Sequence, residues 1–348
     1  MRRTIPIVSA LALAAVSALL PVSTRSAGAA DGVVDLPVSF AVKNTNTSRV
    51  PCPSDGKAYT VKGHIVAPAA ALESPKAATL YLHAVTWGAH YWHLQNIPGY
   101  DYASNMAEKG HVSVIVDRLG YGASGKPAGS GGTCFGSEAD VAHQMVQALK
   151  DGSYTLSGHA PVRFSKVFIS GSSVGGMTAE IENYSYKDTD GIINWGWAEY
   201  RFSQYAMREA GDYGHRCSMG GDSGAPAYYA TFALNSIETF WFNSATPEVR
   251  AQLPRATPDP CSQIASIPPS VQADEMHKRE INVPVLSIFG DADSIFSPQA
   301  AKEAAAEFSG SPDSTLVMIA GASHYPLVEA NHLDAEAAVD AFLDKYSG

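Results

Sequence analysis

The ten-residue stretch Val167-Phe168-Ile169-Ser170-Gly171-Ser172-Ser173-Val174-Gly175-Gly176 constrains this chain more than any other part of it. Its first residues are apolar and partly β-branched, which predicts a buried strand, and the residues after it continue in a helical pattern. Between them lies a Gly-x-Ser-x-Gly turn, in which side chains at Gly171 or Gly175 would collide with neighbouring backbone. A turn this sharp holds its serine in a strained conformation with the hydroxyl exposed. We therefore predict Ser173 as a nucleophile, with the Val174 N–H placed to stabilise an oxyanion.

The first thirty residues have the composition of a secretory signal. Arg2 and Arg3 precede an apolar stretch at 5–20, and the small residues at 27–30 suit cleavage. We expect residues 1–30 to be removed and the mature protein to be secreted by the general secretory route. No other stretch has the length and hydropathy of a membrane span.

Composition excludes several classes of protein. A chain of 348 residues with 45% hydrophobic and 17% charged side chains is neither disordered nor fibrous and can bury one large core. Without residues 1–30 it keeps 21 basic and 34 acidic side chains, a formal charge of −13 instead of −10. Because such a surface repels phosphate backbones, nucleic acid is not an expected partner.

Four cysteines in an exported chain predict two disulfides, for which three pairings exist. Sequence order favours Cys52–Cys134 and Cys217–Cys261. Their spacing contains no Cys-x-x-Cys pair, so a zinc site is not expected.

Apolar runs alternate with helical patterns along most of the chain, which predicts an α/β fold with a doubly wound, mostly parallel sheet. Strands are expected at 38–42, 59–67, 78–83, 112–117, directly before Ser173, and at 191–195, 283–289 and 314–319. Helices are expected near 100–109, 138–150, directly after Ser173, and at 298–308 and 333–345. Residues 31–197 and 279–348 would form this core.

Residues 198–278 break the alternation and are interpreted as an inserted cap. The segment ends in a proline-rich stretch and is rich in aromatic side chains: Tyr200, Phe202, Tyr205, Tyr213, Tyr228, Tyr229, Phe232, Phe240, Trp241 and Phe242. One interpretation is that these aromatics line an apolar acyl or aromatic substrate pocket. The other is that they form the core of the cap.

A serine nucleophile needs a base to accept its proton and a third group to orient that base. The predicted strand at 283–289 runs into a turn with two acids, Asp291 and Asp293. The predicted strand at 314–319 runs into a loop that contains His324. Because parallel sheets bind ligands at the carboxyl ends of their strands, we expect these groups to lie near Ser173.

These motifs resemble the α/β-hydrolase family, and the resemblance covers nearly the whole chain after residue 30. In that family the order is Ser, acid, His, which implies a triad of Ser173, Asp293 and His324. The second acid of the Gly-x-x-Asp turn matches the family's acid, so Asp293 is preferred to Asp291, which would brace the turn. Glu199 is a further alternative, since some members place the acid after the preceding strand.

Two loops extend the resemblance. Asp117–Pro127 resembles the glycine-containing loop after the fourth strand and is expected to act as scaffold. Leu80–Gly88 resembles the His-Gly-x loop that supplies the second oxyanion amide, although Ala84 replaces the usual glycine. The resemblance implies Val85 N–H as that donor, with Thr86 as the alternative.

The resemblance implies a secreted serine hydrolase that cleaves carboxylic esters through an acyl-enzyme intermediate, as carboxylesterases and lipases do. Its expected partner is a small-molecule ester with an apolar or aromatic part, and neither a cofactor nor a metal is implied. The alternatives are a serine peptidase or amidase, or a lactonase, of the same fold. A non-catalytic binding module is the alternative from another class.

A second serine motif, Gly220-Gly221-Asp222-Ser223-Gly224-Ala225-Pro226, resembles the signature of trypsin-like proteases. Those proteases place their histidine before the acid and the serine, in an all-β double barrel. Because this chain alternates strands with helices, Ser223 is interpreted as part of a glycine-rich loop beside Cys217.

Overall fold

The computed structural model describes residues 32–129 and 131–348. The predicted secretory signal, 1–30, lies outside the described residues. None of the helices in the described ranges combines the length and the hydropathy that a bilayer crossing requires.

The strands alternate with helices as the apolar runs predict. In chain order the strands are β1 (Val33–Lys43), β2 (Ala58–Pro68), β3 (Ala77–Leu82), β4 (Ser113–Asp117), β5 (Thr155–Leu156), β6 (Lys166–Ser172), β7 (Ile192–Trp195), β8 (Tyr229–Ala230), β9 (Asp259–Pro260), β10 (Val285–Gly290) and β11 (Ser314–Ile319). The helices are α1 (Ala69–Glu73), α2 (Tyr102–Glu108), α3 (Phe135–Asp151), α4 (Val174–Tyr186), α5 (Gln204–Ser218), α6 (Ile237–Trp241), α7 (Pro247–Gln252), α8 (Cys261–Ile264), α9 (Ile267–His277), α10 (Pro298–Ala306) and α11 (His332–Tyr346).

Nine strands form one sheet in the order β11-β10-β7-β6-β3-β4-β2-β1-β5. The six strands from β11 to β4 are parallel to one another, and β2, β1 and β5 extend the sheet in antiparallel fashion. The central strands are buried on both faces, which explains why their sequences are continuous apolar runs without alternation. Their parallel direction brings the carboxyl ends of β3, β6, β7, β10 and β11 to one edge of the sheet.

The predicted fold class, an α/β fold with a doubly wound, mostly parallel sheet, is confirmed. The structure differs from the prediction at the amino end, where β1 begins at Val33 and pairs with β2 over its full length. Along β1, exposed residues largely alternate with half-buried or buried ones. Such an alternation is a weaker sequence signal for a strand than a continuous run of buried apolar residues.

Between β7 and β10 the chain forms α5 to α9 and a small antiparallel pair, β8 and β9. This part of the chain contains the segment interpreted as a cap, residues 198–278.

Both disulfides form with the pairing that sequence order favours. Cys52–Cys134 joins the loop before β2 to the start of α3, and Cys217–Cys261 joins the end of α5 to α8. Each therefore links segments that are far apart in sequence.

Candidate active site

Three of the predicted site residues follow strands in the parallel part of the sheet. Ser173 comes directly after β6, Asp293 follows β10 and His324 follows β11. Ser173 and His324 are buried, with exposed fractions of 6% and 1%. Asp293 is half-buried as a residue, and its side chain has no exposed surface. The sheet thus brings residues that are up to 151 positions apart to one edge.

The turn at Ser173 has the strained geometry that its glycines predict. Ser173 has φ +53° and ψ −122°, a conformation that side-chain-bearing residues rarely adopt, and its N–H donates to the Trp195 carbonyl at 2.7 Å. A Cβ on Gly171 would lie 2.0 Å from the Gly175 carbonyl oxygen, and one on Gly175 would lie 2.3 Å from the Leu82 oxygen. Only glycine fits at these two positions, so the turn depends on both.

Asp293 and His324 form a buried pair. The Nδ1 atom of His324 lies 2.8 Å from Oδ2 of Asp293, and since the carboxylate accepts, Nδ1 carries the proton. The other carboxylate oxygen, Oδ1, accepts the N–H groups of Ile295 at 2.7 Å and Phe296 at 3.2 Å. These bonds fix the carboxylate, which in turn fixes the tautomer and the orientation of the imidazole.

The second nitrogen of His324 is available for chemistry. Nε2 is buried and has no hydrogen-bond partner among the described residues, and no hydrogen bond joins it to Ser173. The ring of Phe240 stacks on the imidazole with centroids 5.4 Å apart. In free enzymes the bond between nucleophile and base is often long and shortens when substrate binds. A neutral imidazole held in this tautomer presents its Nε2 lone pair as a proton acceptor.

The predicted oxyanion amides belong to Val174, the first residue of α4, and to Val85, in the loop after β3, and both residues line the same cavity as Ser173. Among the described residues, neither the Val85 nor the Val174 N–H donates a hydrogen bond. The Thr86 N–H, by contrast, donates to Oδ1 of Asp259 at 2.8 Å, and the Thr86 hydroxyl accepts the Trp241 indole N–H at 3.0 Å. Both groups of Thr86 are therefore engaged elsewhere, which favours Val85 over Thr86 as the second donor.

The start of this loop is held by a neutral histidine. The Nε2 atom of His83 accepts the Arg118 backbone N–H at 3.1 Å, so its Nδ1 carries the proton and donates to the Ala84 carbonyl at 2.8 Å. Burial, together with the nearby Arg118 charge, holds the pKa of His83 well below its usual range. Arg118 itself pairs with the buried Glu138.

An apolar cavity of about 580 Å³ opens beside Ser173, and we call it the Ser173 cavity. Its lining includes Ser173, Val174 and Val85, and among the described residues that line it none carries a charged side chain. Most of the lining comes from the segment between β7 and β10: Phe202, Ala206, Met207, Ala210, Tyr213, Gly214, Cys217, Phe232, Phe240, Cys261, Ile264, Ala265, Ile267, Pro268 and Val271. The Cys217–Cys261 disulfide is part of this wall.

Four of the ten aromatic residues of 198–278 line the cavity. Phe202, Tyr213, Phe232 and Phe240 line the Ser173 cavity, whereas the other six do not. Trp241, for example, stacks on Trp87 with ring centroids 4.2 Å apart. Sequence composition does not separate the two groups, because cavity-lining and packed aromatics have the same residue types.

The alternative acids are used elsewhere. Glu199 accepts a hydrogen bond from the buried Lys278 ammonium at 2.8 Å, so its carboxylate is paired away from His324. Asp291 is exposed and accepts the Gly321 N–H at 2.5 Å, which braces the turn. Asp293 and not Glu199 is therefore the acid that contacts His324 in this arrangement.

The trypsin-like motif lies apart from these groups. Ser223 is exposed, and its neighbour Asp222 anchors the loop by accepting the Thr231 N–H at 2.7 Å and by pairing with Arg216. This glycine-rich loop leads from the end of α5 to β8.

Other polar sites among the described residues do not include the three site residues. A second cavity of about 600 Å³ lies on the antiparallel side of the sheet and is lined by Lys62, His64, His90, His93 and Asp117, among others. Two groups have ligand atoms close enough to hold a metal ion: His111 with Asp340 and Asp344, and His143 with Glu182 and Asp188. Neither group includes a residue that lines the Ser173 cavity.

Comparison with known proteins identifies the fold. No protein-family model matches the chain, and no curated protein matches it in sequence. A thermophilic esterase from Thermogutta terrifontis superposes with a TM-score of 0.63 at 17% identity, covering 89% of this chain and 100% of the esterase.

Two further solved structures give the same result. A monoacylglycerol lipase from Paleococcus ferrophilus has a TM-score of 0.55 at 15% identity, covering 77% of this chain and 94% of the lipase. An esterase from Exiguobacterium antarcticum has a TM-score of 0.54 at 18% identity, covering 85% and 97%. At such identities the likeness establishes the fold and leaves the activity open. Together with the sheet order and the Ser, acid, His order along it, these superpositions show that the chain has the α/β-hydrolase fold.

Proposed function

We propose that the protein is a secreted serine hydrolase that cleaves small carboxylic esters with an apolar or aromatic part through an acyl-enzyme intermediate. One observation supports this proposal above all: Ser173, in its strained turn, lines an apolar cavity without charged side chains, beside the buried Asp293–His324 pair.

Acylation begins when the Ser173 hydroxyl attacks the ester carbonyl carbon. Nε2 of His324 accepts the hydroxyl proton, and Asp293 stabilises the resulting imidazolium through Nδ1–H. The carbonyl oxygen becomes an oxyanion, which the Val85 and Val174 N–H groups bind. When the tetrahedral intermediate collapses, the C–O bond to the alcohol breaks and the alcohol leaves with the proton from His324.

Deacylation repeats the sequence with water as the nucleophile. His324 accepts a proton from the water, whose oxygen attacks the acyl carbon, and the same two amides bind the second oxyanion. Collapse breaks the bond to Ser173, which recovers the proton from His324, and the carboxylic acid is released. Because Ser173 and His324 are buried, few water molecules other than the nucleophile reach the acyl-enzyme.

The character of the Ser173 cavity supports esters over peptides. A peptidase of this fold generally needs a group that recognises a charged peptide terminus, and the described cavity lining offers no charged side chain for that purpose. Apolar walls instead favour an acyl or aromatic group, since buried apolar surface contributes about 25 cal/mol per Å². Lactones share the reacting group and would fit the same chemistry.

Two further parts of the proposal concern location and architecture. The two disulfides suit an oxidising compartment outside the cytoplasm, in keeping with the predicted signal at residues 1–30. We assign residues 31–197 and 279–348 to the hydrolase core and 198–278 to a cap, because that segment supplies most of the cavity wall.

A substrate panel tests the proposal. Wild-type protein is assayed against p-nitrophenyl esters of increasing acyl length and against aminoacyl p-nitroanilides. We expect turnover of the esters, with kcat/KM rising by up to about fourfold per added methylene until the cavity is full, because each buried methylene contributes about 0.8 kcal/mol. Ser173→Ala serves as the control and should lose about 10³-fold or more.

The panel also separates the alternatives. Faster turnover of anilides than of esters would identify an amidase or peptidase. No turnover of any compound would favour a binding module, and equal activity of wild type and Ser173→Ala would contradict the serine mechanism.

A further inference from the structure

The turn at Val85 and Thr86, which carries the proposed oxyanion donor, is bound by the segment 198–278, which also lines most of the Ser173 cavity. Three polar groups of Thr86, the residue after Val85, are bound by residues 241–259. Its N–H donates to Asp259 Oδ1 at 2.8 Å, its carbonyl accepts the Thr257 N–H at 2.8 Å, and its hydroxyl accepts the Trp241 indole N–H at 3.0 Å.

The backbone of Thr86 needs such support. Its φ is +65°, in the left-handed region that a β-branched residue adopts only when its surroundings impose it. Thr86 is fully buried, so water cannot replace these partners. Without them the turn would relax toward a conformation that threonine prefers.

The peptide plane that Asp259 holds adjoins the plane that carries the Val85 N–H. The Val85 carbonyl and the Thr86 N–H belong to one peptide plane, and the Ala84 carbonyl and the Val85 N–H belong to the plane before it. His83 Nδ1–H holds the Ala84 carbonyl at 2.8 Å, and Asp259 holds the Thr86 N–H at the same distance. The Tyr325 hydroxyl also donates to the Val85 carbonyl at 3.4 Å. The peptide planes on the two sides of Val85 are therefore held by His83 and Tyr325 from the core and by Asp259 from the segment 198–278.

Several hydrogen bonds fix the position of the Asp259 side chain. Its side chain is fully buried, and besides Thr86 it accepts the Tyr121 hydroxyl at 3.0 Å and the Phe232 N–H at 3.3 Å. Burial raises the pKa of Asp259 to about 7, while these hydrogen bonds and the nearby Arg118 charge act in the opposite direction. Its own carbonyl accepts the hydroxyl of Tyr213, which lines the Ser173 cavity.

We propose that Asp259 is a positioning residue for catalysis: from the segment 198–278, it holds the Thr86 turn and thereby aims the Val85 N–H at the oxyanion. This inference rests on the proposed ester hydrolysis. It gives the segment 198–278 a part in assembling the oxyanion hole, in addition to lining the cavity.

The test compares Asp259→Ala with Asp259→Asn at pH 8, above the pKa of the wild-type carboxyl. Loss of the acceptor in Asp259→Ala should lower kcat on a p-nitrophenyl ester about 10- to 100-fold with KM within about twofold, since an oxyanion donor itself contributes about 10²- to 10³-fold. Asp259→Asn keeps an acceptor oxygen for Thr86 and should recover most of kcat. Binding of a trifluoromethyl ketone, which forms an oxyanion on Ser173, should weaken in parallel with kcat/KM.

A matched control is Asp222→Ala, which also removes a carboxylate that accepts a backbone N–H in this segment but has no contact with Thr86. It should lower the melting temperature and leave kcat unchanged. If Asp259→Ala does not fold, Trp241→Phe removes the indole donor to Thr86 while keeping an aromatic ring, and it should lower kcat about 3- to 10-fold, the loss of one of the three contacts on this turn.

The outcomes separate this inference from the proposed function. Wild-type kcat in Asp259→Ala overturns the role of Asp259 while ester hydrolysis by wild type stands. If Trp241→Phe is needed instead, wild-type kcat in that variant overturns the dependence of catalysis on the Thr86 turn, and the role of Asp259 with it. Equal losses in Asp259→Ala and Asp259→Asn, with unchanged inhibitor binding, also overturn it. Absence of ester hydrolysis by wild type overturns the proposed function and this inference together.

Discussion

Asp291 and Asp293 lie two positions apart after β10 and have different surroundings. The Asp293 side chain is buried, bonds His324 and accepts two backbone N–H groups, whereas Asp291 is exposed and braces Gly321. The resemblance to the α/β-hydrolase family favours the second acid of the Gly-x-x-Asp turn, because that position matches the family's acid. The contacts that make Asp293 the partner of His324 depend on β11, which the pattern does not contain.

We expect Asp293→Asn to lower kcat by about 10⁴-fold on a short p-nitrophenyl ester. An amide in that position can present its N–H₂ to the imidazole, which stabilises the wrong tautomer and removes the charge that balances the imidazolium. Asp291→Asn is the matched control and should stay within a few-fold of wild type. Thermal melting would establish that both variants fold, and similar kcat values for the two variants would contradict the assignment.

The connection from β6 to α4 is the element that sequence predicts best. Its apolar run, its close-packed glycines and its helical continuation are all contiguous, so local physics determines them.

The segment 198–278 is the opposite case. Its aromatics predict a cavity or a core without distinguishing them, and the role of Asp259 depends on Thr86, which is 173 residues away. Long-range contacts of this kind leave no periodic signal in the sequence.

A buried charged cluster, made of Lys278, Glu180, Glu199 and Asp274, connects helix α9 to α4. Lys278, just after α9, lies 3.2 Å from Glu180 of α4 and 2.8 Å from Glu199. Asp274 of α9 accepts the Tyr184 hydroxyl at 3.0 Å and the Trp197 indole N–H at 3.1 Å. Glu180 and Glu199 therefore share one ammonium. Burial raises the pKa of Asp274 to about 7, while the charge of Lys278 acts in the opposite direction.

This cluster predicts a pH dependence of stability. Because the pKa of Asp274 in the folded state is above its ordinary value of 3.8, the folded chain binds this proton more tightly than the unfolded chain. The contribution of Asp274 to stability is therefore present below about pH 4 and is lost as the pH rises toward 7.

Asp274→Asn removes this titration, so its melting temperature should improve relative to wild type as the pH rises from 4 to 8. Asp212→Asn, at an exposed position of α5, is the control for removing an aspartate carboxylate outside this buried cluster. A constant difference for Asp274→Asn would contradict the raised pKa.

Over the molecule as a whole, the parallel half of the sheet and the segment 198–278 contribute different parts of one site. The sheet brings Ser173, Asp293 and His324 to its carboxyl edge, and the segment supplies most of the cavity wall and the contacts to Thr86. The disulfide Cys217–Cys261 closes that wall covalently. Sequence predicts the first contribution from alternating elements, while the second follows only from the folded arrangement.

If Ser173 is the nucleophile, a reagent that bonds covalently to activated serine hydroxyls should modify it. Wild type, Ser173→Ala and Ser223→Ala are treated with a fluorophosphonate probe, and the modified peptide is identified by mass spectrometry. The exposed Ser223 is the matched control because it also lies in a glycine-rich motif. We predict one label on Ser173 in wild type and in Ser223→Ala, and none in Ser173→Ala. Labelling of Ser173→Ala to the wild-type level, or loss of the label in Ser223→Ala, would contradict the account.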